Sequence, residues 1–315
     1  MSSNDASLAF VFPGQGSQAV GMLAELAAAH AEVYSTFEEA SQGAGFDLWA
    51  LSSQGPEEQL NRTENTQPAL LAASVAVWRV WCKLGGARPA RLAGHSLGEY
   101  SALVCAGALS LHDAAALVAE RGRLMQAAVP AGVGAMAAIL GGDDAQIAAV
   151  CEEVAQGQVV APANFNSPGQ LVIAGHAEAV DRALARLAEL GVKKAIRLAV
   201  SAPSHCALMR DAADRLGERM AGIGWQQPAI PVIQNAEARS HDSIGEIRAA
   251  LQRQLYLPVR WVECVQALAA GGATRMAECG PGKVLTGLVK RIDKGVEARP
   301  LGWPADMDAA RAEWA

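Results

Sequence analysis

Ser96 stands at the centre of Gly94-His95-Ser96-Leu97-Gly98, a G-x-S-x-G pentapeptide. A serine held out on a sharp strand-to-helix turn is a nucleophile toward carbonyl carbon, and the helix N-terminus behind it offers N–H groups to the oxyanion that forms. A Gly/Ser turn that merely caps a helix has the same pattern, so the motif needs its context. Two further residues could share its chemistry. Arg121 lies among Leu117, Leu124, Met125 and Ala128, which recur at helical spacing on one face, while Arg123 points to the far side. An inward arginine is either a structural ion pair or snorkelling cation, or a guanidinium fork awaiting a substrate carboxylate or phosphate. His205, in Ser201-Ala202-Pro203-Ser204-His205, falls at a strand-to-helix junction, where α/β folds put functional residues and where a histidine also serves as a cap or surface group. His95 abuts the nucleophile and is expected to point away. Cys206 has no elbow like that of Ser96.

The elements that must position these groups follow from patterning. The apolar run from Leu8 to Phe12 reads as a buried parallel strand ending in Pro13-Gly14-Gln15-Gly16-Ser17-Gln18, a loop able to bring a second backbone N–H beside the nucleophile or simply to turn. Helices are expected at 20–29, 33–42, 57–60 and 68–84, the last opened by Thr66-Gln67-Pro68, with Gln67 as a cap or facing a cleft. Leu92-Ala93 leads into the elbow, with helices following at 101–107 and 112–129. From 134 to 200 the order strand, helix, strand, strand, helix, strand is that of a ferredoxin-like split βαβ, its hairpin turning at Asn166-Ser167-Pro168-Gly169. Beyond it come a helix over 207–220, a strand at 231–233, helices over 244–255 and 262–270, a short last strand at 275–278 and a helix over 283–292. The fold class is α/β: a core with a largely parallel sheet over 1–130 and 200–315, carrying an inserted βαββαβ subdomain over 131–199.

Composition narrows the class. The chain has 315 residues, 51% of them hydrophobic, enough for a large core. No apolar run approaches the ~20 residues of a membrane span and the first residues lack a signal-peptide pattern, so a cytoplasmic location with no membrane partner is expected. The six cysteines form no C-x-x-C pair and imply free thiols, with no metal site. A net charge of -6 argues against nucleic acid as a partner.

With these pieces in place the chain resembles bacterial malonyl-CoA:acyl carrier protein transacylases along nearly its whole length. The resemblance is carried by 11–18, 66–69, 94–100, Glu120-Arg121-Gly122, Asn164-Phe165-Asn166-Ser167-Pro168-Gly169-Gln170, Pro203-Ser204-His205, Gln254-Leu255 and Gly280-Pro281-Gly282-Lys283. It implies an α/β-hydrolase-like core, a Ser96–His205 dyad, and an oxyanion hole from the N–H groups of Gln15 and Leu97. It further implies Arg121 as ligand of the malonyl carboxylate and the Gln254 main-chain carbonyl as the group that orients His205. Gln67, Asn164 and Asn166 would line the cleft, and Lys193 and Lys194 would meet the coenzyme A phosphates. The implied reaction is ping-pong malonyl transfer from malonyl-CoA, through Ser96, to the phosphopantetheine thiol of acyl carrier protein for fatty acid elongation. No tightly bound cofactor is implied, the carrier contact is transient, and the chain is expected to be a monomer. Lys283, Lys290 and Lys294 would share a helix face, as solvated surface or as a docking face for an acidic carrier. The other classes are a serine esterase or thioesterase on the same elbow, a docking subunit, and a free-standing acyltransferase serving polyketide assembly.

Overall fold

Strand β1 (Asp5–Phe12) alternates between two cores: Leu8, Phe10 and Phe12 pack on one side, Ala9 and Val11 on the other. A strand buried on both faces needs an unbroken apolar run, and that is why its buried part, 8–12, is apolar throughout. The computed structural model describes residues 4–198 and 202–314. After β1 come helices α1 (Ala24–Ala29), α2 (Glu32–Ala44), α3 (Leu48–Gln54), α4 (Glu57–Leu60) and α5 (Thr63–Lys83), then β2 (Pro89–Gly94), α6 (Gly98–Cys105) and α7 (Leu111–Ala127). The inserted unit follows as β3 (Gly134–Leu140), α8 (Asp144–Val154), β4 (Val160–Ser167), β5 (Gln170–His176), α9 (Ala177–Glu189) and β6 (Lys194–Arg197). The chain closes with α10 (Arg210–Ala221), β7 (Val232–Ile233), α11 (Ile244–Gln254), α12 (Trp261–Ala270), β8 (Arg275–Glu278), α13 (Val284–Ile292), β9 (Glu297–Pro300) and α14 (Pro304–Trp314).

The larger sheet has the order β7-β2-β1-β8-β9 and all its pairs are parallel. Helix α5 lies against one face, where Phe10 meets Trp78 and Trp81 edge-on at 5.5 and 5.4 Å, and α12 and α13 cover the other. The second sheet, β4-β5-β3-β6, is antiparallel throughout. Ala135, Ala137 and Ile139 of β3 pack on α8 and α9, so the alternate residue Met136 faces the other way, toward the larger unit. The smaller sheet is joined by backbone to the connection between α11 and α12: Phe165 N–H donates to the Val259 carbonyl and Val259 N–H to that of Ala163, both at 2.9 Å.

Several elements differ from the sequence expectation. Helix α5 starts at Thr63, five residues before Pro68, so Gln67 is inside the helix rather than capping it. Pro68, the sixth residue of α5, has no N–H to donate to the carbonyl four residues before it, so the helix forgoes one bond in its second turn. Strand β4 runs through Ser167 and the hairpin turns at Pro168-Gly169 alone, Gly169 taking φ +71°. Asn166 is therefore a strand residue with a directed side chain. The 275–278 strand is not the last: Glu297–Pro300 extends the sheet as β9, an edge strand whose charges and proline hid it. Helices α3 and α14 were not anticipated. Helix α13 ends at Ile292, so exposed Lys294 lies beyond the face it was expected to share with Lys290. The strand expected to reach Val200, and Ser201 after it, end outside the described residues. No helix among the described residues is long and apolar enough to cross a membrane.

Candidate active site

Parallel register brings the ends of β1 and β2 level, Phe12 opposite Gly94, and His95 N–H donates to the Phe12 carbonyl at 2.9 Å. The chain then reverses within three residues into α6. Such a turn requires close backbone approach on both sides of the serine. A Cβ on Gly94 would lie 1.9 Å from the Gly98 carbonyl carbon, and one on Gly98 would lie 2.0 Å from the Phe12 oxygen. Ser96 itself sits at φ +51°, in the left-handed region that costs a non-glycine residue roughly 1–2 kcal/mol. Side chains hold it there. Its N–H donates to Asn235 Oδ1 at 2.7 Å, and its carbonyl accepts from Gln254 Nε2 at 2.9 Å.

His205 is buried, also has positive φ (+61°), and is held by the end of α11. The last carbonyls of a helix have no partner within it, and here the imidazole segment takes two of them. His205 N–H donates to the Leu255 carbonyl at 3.0 Å and Nδ1 to that of Gln254 at 2.7 Å. A carbonyl can only accept, so Nδ1 carries the proton and Nε2 presents its lone pair. Ser96 Oγ lies 2.8 Å from that Nε2 and donates to it. Burial, and after it the charge of Arg121, push the imidazole down to about 3, so it remains a neutral base.

Arg121 is 1% exposed. Helix α7 can bring it to α5 because Gly122 lies against the α5 backbone, where a Cβ would come within 2.5 Å of Glu64 Cα. The guanidinium donates to Gln67 Oε1 at 2.8 Å, Gln254 Oε1 at 3.0 Å and Ser96 Oγ at 3.2 Å. All three are neutral oxygens, and among the described residues no carboxylate lies within ion-pair distance of it. Tyr100 offers its ring face, 5.4 Å from the guanidinium carbon. Burial lowers the pKa of Arg121. A desolvated cation touching a nucleophilic oxygen is a seat for an anionic group next to the reacting atom.

These groups open into a cleft of about 300 Å³ between the two units, lined by Ser96, Arg121 and His205 together with Gln15, Leu97, Asn164 and Asn166. Met136 and Val172 of the smaller sheet form part of its apolar wall. Gln15 comes close because Gly14 packs on His95, a Cβ there falling 2.5 Å from the His95 oxygen. Leu97 is the residue before the first turn of α6, where N–H groups lack helical acceptors. Asn164 is buried in the β4 bridge to Val259. His95, expected to point away, lines this cleft instead: its Nε2 meets Asn166 Oδ1 at 2.8 Å. Gln67, expected in the cleft wall, is instead fully buried behind Arg121 and does not line the cleft, and Lys193 and Lys194, exposed at the edge of the smaller sheet, do not line it either. Cys206 is buried, donates to the Pro203 carbonyl at 3.1 Å, and has its thiol pushed up to about 11 by burial, which leaves it a packing residue.

Two residues at the site were not singled out in the sequence. Asn235 is the second residue past β7, at the carboxyl edge of the parallel sheet, and that position was its only signal. Glu99 lies inside the serine motif stretch and is fully buried, accepting from Gln234, Asn235 and Gln254. Among the described residues there is no group of three or more His, Cys, Asp or Glu arranged to hold a metal ion.

Comparison with known proteins gives a consistent result. Residues 9–301 match the acyl transferase domain family. The malonyl CoA-acyl carrier protein transacylase of Escherichia coli K12 is 58% identical over 302 residues, 96% of this chain and 98% of the relative. The crystal structure of malonyl-CoA:acyl carrier protein transacylase from Xanthomonas oryzae pv. oryzae superposes with a TM-score of 0.98 at 67% identity, covering 99% of this chain and 100% of that one. A malonyl-transacylase solved in complex with its type II polyketide synthase acyl carrier protein superposes with a TM-score of 0.96 at 55% identity, covering 98% and 99%.

Proposed function

The chain belongs to the acyl transferase family, and from that premise we propose that it transfers a malonyl group from malonyl-CoA to the phosphopantetheine thiol of acyl carrier protein, supplying fatty acid elongation. The observation that carries the substrate class is Arg121: a buried guanidinium within hydrogen-bond reach of Ser96 Oγ, with no carboxylate within ion-pair distance among the described residues. A malonyl carboxylate supplies the missing charge, and the fork then fixes the thioester carbonyl against the serine.

In the first half-reaction Ser96 Oγ attacks the thioester carbon as its proton passes to His205 Nε2. The N–H groups of Gln15 and Leu97 receive the oxyanion. Collapse breaks the carbon–sulfur bond, and the coenzyme A sulfur leaves with the proton from His205, giving malonyl-Ser96. In the second half the carrier thiol gives its proton to His205, attacks the ester carbonyl and leaves as malonyl-thioester, returning the proton to Ser96. A thioester is consumed and a thioester is made, so the overall equilibrium is near balance. The Gln254 carbonyl keeps His205 in the required tautomer throughout. Gln67 holds the second arm of the Arg121 fork, and Asn164 and Asn166 line the approach for the pantetheine. Lys193 and Lys194, outside the cleft, are read as contacts for the coenzyme A phosphates. Malonyl-CoA is a substrate here rather than a resident cofactor, and the protein is read as a cytoplasmic monomer that meets its carrier transiently.

Intact-protein mass spectrometry after brief exposure to malonyl-CoA tests this directly. The wild type is expected to gain one malonyl group, Ser96→Ala none, and added holo carrier protein should clear the adduct onto its own thiol. Free malonate with no loaded carrier would replace this reading with a thioesterase.

A further inference from the structure

Resting on the acyl-transfer reading, we propose that Glu99 is a positioning residue for the nucleophile, acting through Asn235 and Gln254 to hold the Ser96 peptide in its left-handed conformation. The Ser96 N–H and carbonyl are each held by one side chain, Asn235 Oδ1 and Gln254 Nε2. Those two residues converge on a single acceptor: Glu99 Oε2 receives the Asn235 N–H at 2.8 Å and Gln254 Nε2 at 3.0 Å. The other carboxyl oxygen, Oε1, receives Gln234 Nε2 at 3.0 Å. Asn235 also spans the elbow, because its Nδ2 donates to the Gly94 carbonyl at 2.7 Å while its Oδ1 takes the Ser96 N–H.

Glu99 is fully buried on the first turn of α6 and does not line the cleft, so it touches no substrate. Three donors are directed at its two oxygens, and the charge of Arg121 acts on it from beyond ion-pair distance. An amide in its place keeps the shape but offers one acceptor oxygen, and its NH2 must then oppose a donor. The elbow would lose its fixed geometry, and a serine displaced by about 1 Å from its base and oxyanion donors loses on the order of 10²-fold in rate.

Glu99→Gln tests this by single-turnover acylation with malonyl-CoA and with acetyl-CoA, read as rate constant and as adduct per folded molecule. The expected result is a fall on the order of 10²-fold in both rate constants by the same factor, with full adduct stoichiometry and a KM for malonyl-CoA within about twofold of wild type. Glu99→Asp, which keeps the carboxylate on a shorter arm, is expected to fall between the two. In an Asn235→Ala background Glu99→Asp should lower the rate constant by a smaller factor than in the wild-type background, because the Asn235 Oδ1 arm to the Ser96 N–H is already gone and only the Gln254 arm remains for Glu99 to hold. Reduced stoichiometry with the remaining molecules acylating at wild-type rate would make Glu99 a purely structural residue and overturn the proposal. So would a loss confined to malonyl-CoA, which would place its action on Arg121, or full additivity with Asn235→Ala. If Glu99→Gln yields no folded protein, a wild-type rate constant in Glu99→Asp overturns it. A wild type that forms no malonyl adduct overturns the acyl-transfer reading and this proposal with it, whereas a normal wild type beside an unimpaired Glu99→Gln overturns only the role of Glu99.

Discussion

In the proposed reaction Arg121 is the one side chain that would convert a general acyl-transfer site into a selective one. Its three polar partners, Gln67, Gln254 and Ser96, are all neutral, its Nε–H has no partner among the described residues, and the carboxyl of Glu99 acts on its charge only from beyond ion-pair distance. A malonyl donor completes the fork, whereas an acetyl donor leaves a buried cation uncompensated, a difference worth on the order of 10³-fold. Arg121→Ala is therefore expected to lower kcat/KM for malonyl-CoA by roughly that factor while changing acetyl-CoA acylation much less, as measured by paired acylation kinetics. Equal losses for both donors would remove the carboxylate role. The same residue also acts on the base. Its charge adds to burial in lowering His205, so the imidazole that must accept a proton from Ser96 stays unprotonated at neutral pH. One cation thus serves binding and base chemistry together.

At the scale of elements, the site depends on backbones that come closer than side chains normally permit. Gly98 places α6 against the end of β1, and Gly122 places α7 against the start of α5. The first contact fixes the elbow and the second delivers Arg121. Gly98→Ala would set a methyl 2.0 Å from the Phe12 carbonyl oxygen, in backbone that cannot yield without moving the loop after β1. The expected outcome is destabilisation of about 1–3 kcal/mol, read by denaturant titration, together with a loss of acylation larger than stability alone explains, because Gln15 and Ser96 shift relative to one another. A folded Gly98→Ala with wild-type acylation would show that the close approach is not needed. Helix α11 contributes in another way. Its last carbonyls, which any helix end leaves unpaired within the helix, are those that orient His205, and so no acidic third member is required there.

At the scale of the molecule, the cleft exists because the second sheet is tied to the larger unit through backbone bonds between 163–165 and Val259, in the connection between α11 and α12. The smaller sheet faces the catalytic groups with the apolar residues Met136 and Val172, and so buries His205 and Arg121 at the junction of the two units. That burial has a global consequence. The folded imidazole of His205 is held at about 3 while the unfolded one keeps its ordinary 6.5, so between those values the unfolded chain binds a proton that the native state refuses. Stability from this group is complete above about 6.5 and is lost as pH falls toward 3. His95, also held down by burial, adds to the same slope. His205→Asn cannot bind that proton. Its Tm is expected to fall less than that of the wild type between pH 7 and 4, measured by calorimetry across the range. Parallel curves would mean that the native imidazole is not held neutral.

The sequence by itself determined which residues could do the chemistry and most of the elements that carry them. A G-x-S-x-G turn, an arginine inside an apolar helical stripe and a histidine at a junction are local patterns, written in neighbouring positions and helical or strand periods. The parallel strand at 8–12 and the βαββαβ order were legible for the same reason. The alternatives attached to Arg121 and Gln67 were not resolvable at that level, because a buried ion pair and an unpaired fork share one periodicity. Only the tertiary structure decided them, by bringing residues 67, 96, 121, 205 and 254 together from five separate segments. Asn235 and Glu99 escaped the sequence reading because their importance lies in hydrogen bonds across more than a hundred residues of chain. Strand β9 escaped because an edge strand needs no apolar pattern, and its place is set by the neighbour it pairs with. Local order is encoded by the spacing of side chains along the chain, whereas the partners of a buried polar group are chosen by packing between distant elements, and that choice is made only when the chain folds.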